Sequence, residues 1–513
     1  MTSSLGYSAL IERYNLAALP LGHSAVVDTS IKGRQLRQRG GDWVQAFEPN
    51  YAPQDTLVGH LQFALRYEGI NLQVLALLFA QTGAEELGDW LQNSPDSRYA
   101  RSACYVYEWI TGNQLPIDDP VPARSRYVQI GNPDLQLVYP SGARATRFRV
   151  INNLIGSRKF CPFVRTTAYL KEMHARDLRN LITSTLASYD RVLLRRAAAF
   201  LYLKETQASF EVEREKPSPQ KAQRFADLLG QADAAKPLTE QRLVELQQAV
   251  VDPRFHEFTW RHQQNWIGKD HGYRKQVDFV PPRPEDVGRL MEGLLELAGA
   301  YLEKNQHQSE NDPDAVVMSA VVSFGFVFIH PFMDGNGRIH RYLIHDMLTK
   351  ARFTPRGIVL PVSAVILANL DDYINTLEEF SRPLNARSEY YPDVPESPAK
   401  GNDPVYFQYP ELTRQAEFLY QALERTISHD LQAEIDYLLG FDAAYAALND
   451  MMDWPAHSLE LFIRVVHSNG GRLSKSKHNS HFDWLTREEI KAAESIVRNA
   501  FGIDGEENVA SSG

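Results

Sequence analysis

Only two cysteines, Cys104 and Cys161, occur among 513 residues. That is too few for a disulfide framework and points to a reducing compartment. Positive charge is also in deficit: Lys+Arg number 54 against 64 Asp+Glu, for a formal net charge of −10. Such a balance gives no general field for attracting nucleic acid, and none is expected as a partner. Long hydrophobic runs are missing too. The longest, Val316 to Ile329, ends after 14 residues and includes Ser319 and Ser323. It is too short to span a membrane and suits a buried helix. Met1 to Tyr14 lacks a basic segment followed by an apolar one, so no secretory signal is expected and the cytoplasm is the expected compartment. No internal repeat is seen. At 43% hydrophobic and 23% charged, the chain has material for two or three ordinary globular domains.

The apolar spacing is mostly helical, as in Leu72, Val74, Leu75, Leu78, Phe79 and again in Leu193, Leu194, Ala197, Phe200, Leu201. Residues 1–190 read as a mainly helical module with an irregular or β portion, which includes strand candidates at Arg126 to Ile130 and Leu135 to Tyr139. The glycine-bounded basic run Lys32 to Gly41 reads as a loop. A second module, 191–385, contains helical stretches at Gln220 to Leu229, Thr239 to Val251 and Pro284 to Glu303. It also holds a partly alternating segment, Lys275 to Val280, stopped by Pro281-Pro282. Asn311-Asp312-Pro313-Asp314 offers a helix start with Asp312 as the cap and Pro313 at the first position. Residues 386–410, rich in proline and charge, read as a linker, and 411–505 as a helical module with a capping box at Thr486 and Glu489. The fold class expected is mainly α.

Chemistry concentrates in His330-Pro331-Phe332-Met333-Asp334-Gly335-Asn336-Gly337-Arg338-Ile339-His340-Arg341, between the apolar run and a second helical pattern. Gly335-Asn336-Gly337 before a helix lets backbone N–H groups converge on phosphate oxygens. Arg338 and Arg341, three apart on one helical face, can clamp later phosphates. Asp334 is a hard oxygen ligand suited to Mg²⁺ held jointly with substrate phosphates. A neutral His330 can take a proton as general base.

This stretch resembles the Fic-family motif HPFx(D/E)GNGRxxR at every specified position. Gln264-Asn265-Trp266-Ile267-Gly268, Val280-Pro281-Pro282 and Pro284-Glu285-Asp286-Val287 are similar to the run that precedes the motif in that family. The resemblance covers about Leu193 to Arg382. It implies a helical core with a β-hairpin flap, and transfer of AMP from ATP to a Ser, Thr or Tyr hydroxyl of a protein. His330 would be the base, and Asp334 would hold Mg²⁺. Gly335, Asn336 and Gly337 would line an anion hole, and Arg338 and Arg341 would bind the β- and γ-phosphates. Phe332 would anchor the loop. Lys275, Gln276, Val277 and Asp278 would form the flap that pairs with an extended target segment. Gly337 stands where Doc-type kinases carry Lys, which favours nucleotidyl over phosphoryl transfer.

Ser209-Phe210-Glu211-Val212-Glu213-Arg214 is similar to the family's inhibitory pattern (S/T)xxxE(G/N), so Ser209 and Glu213 are inhibitory candidates and Arg341 is the expected partner of Glu213. Arg214 stands where the pattern has Gly or Asn. Ala64 to Gly69 is a poorer match. Self-modification and a homo-oligomer stay open, as do two rival readings of the site, an AMP-removing enzyme and a non-catalytic nucleotide sensor. His340, His345 and Asp346 are out of helical phase for a metal site and read as core-edge or solvated groups. The basic stretch Arg472 to His478 reads as a solvated loop.

Overall fold

A computed structural model of the chain describes residues 3–503, other than 40–41, 119–120, 188, 190, 231–235, 273–274, 306–312, 356 and 395–397. The protein is mainly helical, with three small sheets among the described residues. It divides into two compact units, Met1–Asn180 with Tyr202–Leu423, and Leu181–Leu201 with Glu424–Gly513.

In the first unit, helices Leu57–Tyr67, Leu72–Phe79 and Arg98–Thr111 begin at Thr56, Asn71 and Ser97. Each cap's side-chain oxygen accepts a first-turn N–H. Their apolar faces meet in one core with Leu61, Leu75, Leu78 and Cys104 fully buried. Both cysteines are buried and free. The basic run expected as a loop is in part a strand. Arg34–Arg39 lies antiparallel to Asp42–Phe47, which in turn pairs in parallel with His23–Val27. It is an edge strand, and charged side chains are a common way to keep such an edge from pairing further. Of the two strand candidates downstream, Val128–Gln129 pairs with Val150–Asn152, whereas the second contributes only a bridge between Gln136 and Arg165.

The buried helix Ala315–Ile329 packs against Asn336–Lys350, and Pro284–Asn305 lies beside it. Its cap is Asp314, whose Oδ1 accepts from Val316 N at 2.8 Å and Val317 N at 3.1 Å. Asp312, the cap expected, lies outside the described residues. The segment expected as a linker carries short helix Pro404–Gln408 with Tyr406 and Phe407 buried. Asn402 Nδ2 donates to Pro281 O at 2.7 Å and Tyr406 OH to Ala17 O at 2.6 Å.

The second unit has its own core, in which Leu459, Phe462, Ile463, Phe482, Ala493 and Val497 are buried. Its helix Arg487–Phe501 opens with the Thr486–Glu489 capping box.

Candidate active site

The buried helix ends abruptly. His330 takes φ 51° and ψ 59°, the left-handed region, and Pro331 follows with no N–H to offer. A β-carbon crowds that conformation, at about 1–2 kcal/mol. The histidine's Nδ1 lies 3.1 Å from Val327 O. A carbonyl only accepts, so Nδ1 carries the proton and Nε2 keeps its lone pair. Burial pushes the imidazole pKa down to about 4, and the Val327 bond and the charges of Glu213 and Asp334 offset only part of that. The ring is therefore neutral at pH 7, as a general base must be.

The loop after it is tied down by buried polar groups. Asn336, 2% exposed, accepts from Phe332 N at 3.1 Å and donates to Phe332 O at 2.7 Å. Both polar atoms of its side chain are thereby committed to the loop, and what it offers an anion is its backbone N–H. Arg261, also 2% exposed, donates from Nε to His330 O at 2.9 Å, from NH1 to Gln263 O at 2.9 Å, and from NH2 to Pro282 O. Its backbone N–H reaches Pro331 O at 2.9 Å. Asn265 Nδ2 holds Phe332 O at 2.9 Å, and Glu257 Oε2 accepts from Met333 N at 2.8 Å. Phe332, wholly buried, meets Trp260 with ring centroids 5.4 Å apart. Gly335 turns at φ 92° against Val250 and Val251, where a side chain would collide.

Helix Asn336–Lys350 starts here, and the N–H groups of its first turn have no partner within the helix. Asp334 Oδ1 takes Gly335 N at 2.6 Å and Arg338 NH2 at 3.1 Å. Its carboxylate is half-exposed. Arg338, 3% exposed, is held by Val250 O at 2.7 Å and Glu215 Oε2 at 2.8 Å, both on NH1. Arg341, 1% exposed, donates to Ser209 Oγ at 2.9 Å, Ser209 O at 2.6 Å and Glu213 Oε1 at 2.9 Å. Burial pushes the Glu213 carboxyl up, but Arg341, its hydrogen bond and Arg338 outweigh this and leave the pKa below the usual range. The same carboxylate sits over Gly337: a β-carbon there would overlap Glu213 Oε1. An acidic group of the chain itself thus lies against the glycine turn where the sequence calls for an anion.

The structure brings together His330, Asp334, Gly335, Asn336, Gly337, Arg338, Arg341, Ser209 and Glu213. The hairpin of Ile267–Asp270 and Lys275–Phe279 is antiparallel with a bulge at Ile267/Gly268. It is joined to the site through Phe279, whose ring lies 6.5 Å from Phe328, two residues before His330. Lys275 Nζ pairs with Asp393 at 2.8 Å, Gln276 donates to Asp278 at 2.8 Å, and Val277 O accepts from Asn385 Nδ2 at 3.0 Å. One acceptor on this strand is therefore already satisfied, which leaves less free backbone for an incoming segment.

His340 and His345 are core groups, at 0% and 3% exposure. His340 Nδ1 donates to Ser323 O at 2.8 Å and His345 Nε2 meets Glu205 Oε1 at 2.8 Å. Among the described residues no three His, Cys, Asp or Glu side chains converge as a metal cage. Asp334 alone fits the other common arrangement, in which Mg²⁺ rests on one or two carboxylates and substrate phosphates. Arg261, Glu257 and Glu215 had no signal in the motif. Each acts on it from a distant point in the chain.

Residues 237–348 match the model of the Fic/DOC family. The protein adenylyltransferase Fic of Nematostella vectensis is 35% identical over 81 residues, 15% of this chain and 17% of that protein. A probable protein adenylyltransferase of Aquifex aeolicus is 27% identical over 204 residues, 37% of this chain and 58% of its own length. The chain thus spans only part of the curated relatives it matches. A solved Fic family protein from Desulfovibrio desulfuricans aligns over 67% of this chain and 87% of its own, at 17% identity and a TM-score of 0.38.

Proposed function

With a Fic/DOC-family domain at residues 237–348, we propose that this protein is a protein adenylyltransferase. It moves AMP from Mg-ATP to a Ser, Thr or Tyr hydroxyl of a protein and is restrained by its own Glu213. The observation that carries the reading is a neutral imidazole beside a glycine turn and two buried arginines, with a carboxylate of the same chain resting on that turn.

His330 Nε2 accepts the proton of the target hydroxyl. The hydroxyl oxygen attacks the α-phosphorus, the α–β bridging bond breaks, and the pyrophosphate that leaves carries the bond's electron pair. The first-turn N–H groups of Asn336 and Gly337 hold phosphate oxygens, and Arg338 and Arg341 neutralise charge on the departing end. Mg²⁺, held by Asp334, would supply further charge neutralisation at the phosphates. Lys275 to Asp278 in the hairpin would guide the target segment. Glu213 pairs with Arg341 and lies over Gly337, in the place a phosphate would take, so the resting state is closed. The relatives named protein adenylyltransferase support the reaction class.

The test is intact-mass analysis of purified Glu213→Gly after incubation with Mg-ATP. The expected result is an added AMP on the protein itself, absent in Glu213→Gly/His330→Ala. Equal modification with and without His330 would overturn the reading.

A further inference from the structure

Glu213 is not the only carboxylate on the arginines. Helix Arg191–Val212 closes with Arg214 N bonded to Glu211 O at 2.8 Å and Glu215 N bonded back to Phe210 O at 3.0 Å. Between them Arg214 takes φ 58°. This is the six-to-one turn that commonly ends helices, with an arginine where glycine is usual. Its effect is geometric. In a continuing helix, side chains two apart point about 200° away from each other. With the left-handed residue between them, Glu213 reaches Arg341 at 2.9 Å and Glu215 reaches Arg338 at 2.8 Å. Phe210, fully buried, supports the turn from below. Its ring faces Phe225 at 5.7 Å and lies 5.3 Å under the Arg338 guanidinium. Lys221 Nζ takes the same Glu215 oxygen at 3.3 Å, so one carboxylate bridges two cations.

The body of the helix is fastened differently. Glu205, wholly buried, accepts from Ser363 N at 2.8 Å, from Ser363 Oγ, and lies 2.8 Å from His345 Nε2. A polar group buried and paired in that way is costly to free. The two tip carboxylates are 39% and 40% exposed and can exchange partners with water or an anion.

We propose that Glu215 is a second gate of the phosphate site, closing Arg338 as Glu213 closes Arg341. The gates open by rotation of the turn after Phe210 while Glu205 stays fastened to Ser363 and His345. The proposal rests on the nucleotide reading above. The ligand that competes with Glu215 is the phosphate chain beyond the α position, so a nucleotide lacking that chain does not sense it.

The experiment uses the full chain in four forms: wild type, Glu215→Gln, Glu213→Gly and the double variant, with Glu215→Ala as a second substitution at the gate. Calorimetry gives the affinity of each for Mg-ATP and for AMP, with a thermal melt to confirm folding. Glu215→Gln is expected to tighten ATP about fivefold, the ceiling for a half-exposed ion pair, with AMP unchanged and the double variant tighter than either single. If ATP binds Glu213→Gly but neither Glu215 substitution changes its affinity in either background, the second gate is overturned while the nucleotide reading stands. Equal tightening of ATP and AMP also overturns the gate. If none of the forms binds ATP, the nucleotide reading and the gate fall together.

Discussion

The motif loop and the helix end that covers it are held by opposite means. Around the loop, Asn336 from within it and Arg261 and Asn265 from far upstream are buried and spend their hydrogen bonds on its backbone carbonyls and N–H groups. In the helix end, Glu213 and Glu215 are more than a third exposed and bond to side chains. Backbone partners fix a shape because the alternative is an unpaired buried group. A partly exposed carboxylate on a buried arginine can leave for water at little cost to itself, provided another anion takes its place on the arginine. Under the proposed function, the difference separates a rigid cradle from a removable cover.

Breaking the cradle has the largest expected effect. Phe332→Ala empties a fully buried site beside Trp260 and Phe326, and should cost about 4 kcal/mol in urea unfolding. A loss under 1 kcal/mol would mean the loop is not core-anchored. The second effect is on pH. His330 titrates at about 4 instead of 6.5, so the acid limb of the transfer rate of Glu213→Gly should lie near the lower value. A limb near 6.5 would contradict the burial account. The sign for stability follows: the unfolded histidine binds a proton before the folded one, so this contribution is present above 6.5 and lost as pH falls toward about 4.

Lifting the cover comes next. Glu213→Gly should raise self-modification about tenfold or more, as expected for a charge-assisted hydrogen bond removed, while leaving the urea midpoint far closer to wild type than Phe332→Ala does. Smallest is Arg214→Gly. Its left-handed φ of 58° carries a penalty that glycine lacks, about 1 kcal/mol. The substitution should tighten the cover and lower basal transfer about fivefold. An increase would mean that the arginine side chain, and not the turn, holds the closed state.

The twelve-residue loop was legible because its functional groups are adjacent in sequence and its glycines and proline dictate backbone shape directly. Glu213 was legible only because Ser209 to Arg214 resembles the family's inhibitory pattern. Glu215 was not, because helical phase directs it away from Glu213, and only the turn at Arg214 brings it back. Arg261 and Glu257 were invisible for another reason: their partners are backbone atoms of the loop, and no side-chain pattern announces such a pairing. Arg34–Arg39 was misread because an exposed edge strand has few apolar residues to alternate. Asn402 and Tyr406 likewise fasten a proline-rich stretch through carbonyls of distant segments, which composition does not reveal.

The most direct test of the central claim is transfer of label from ATP to Glu213→Gly. One sample carries the label on the α-phosphate and the other on the γ-phosphate. Protein-bound label is expected from the α-phosphate alone and is abolished by His330→Ala; label arriving from the γ-phosphate, or from neither, would contradict nucleotidyl transfer.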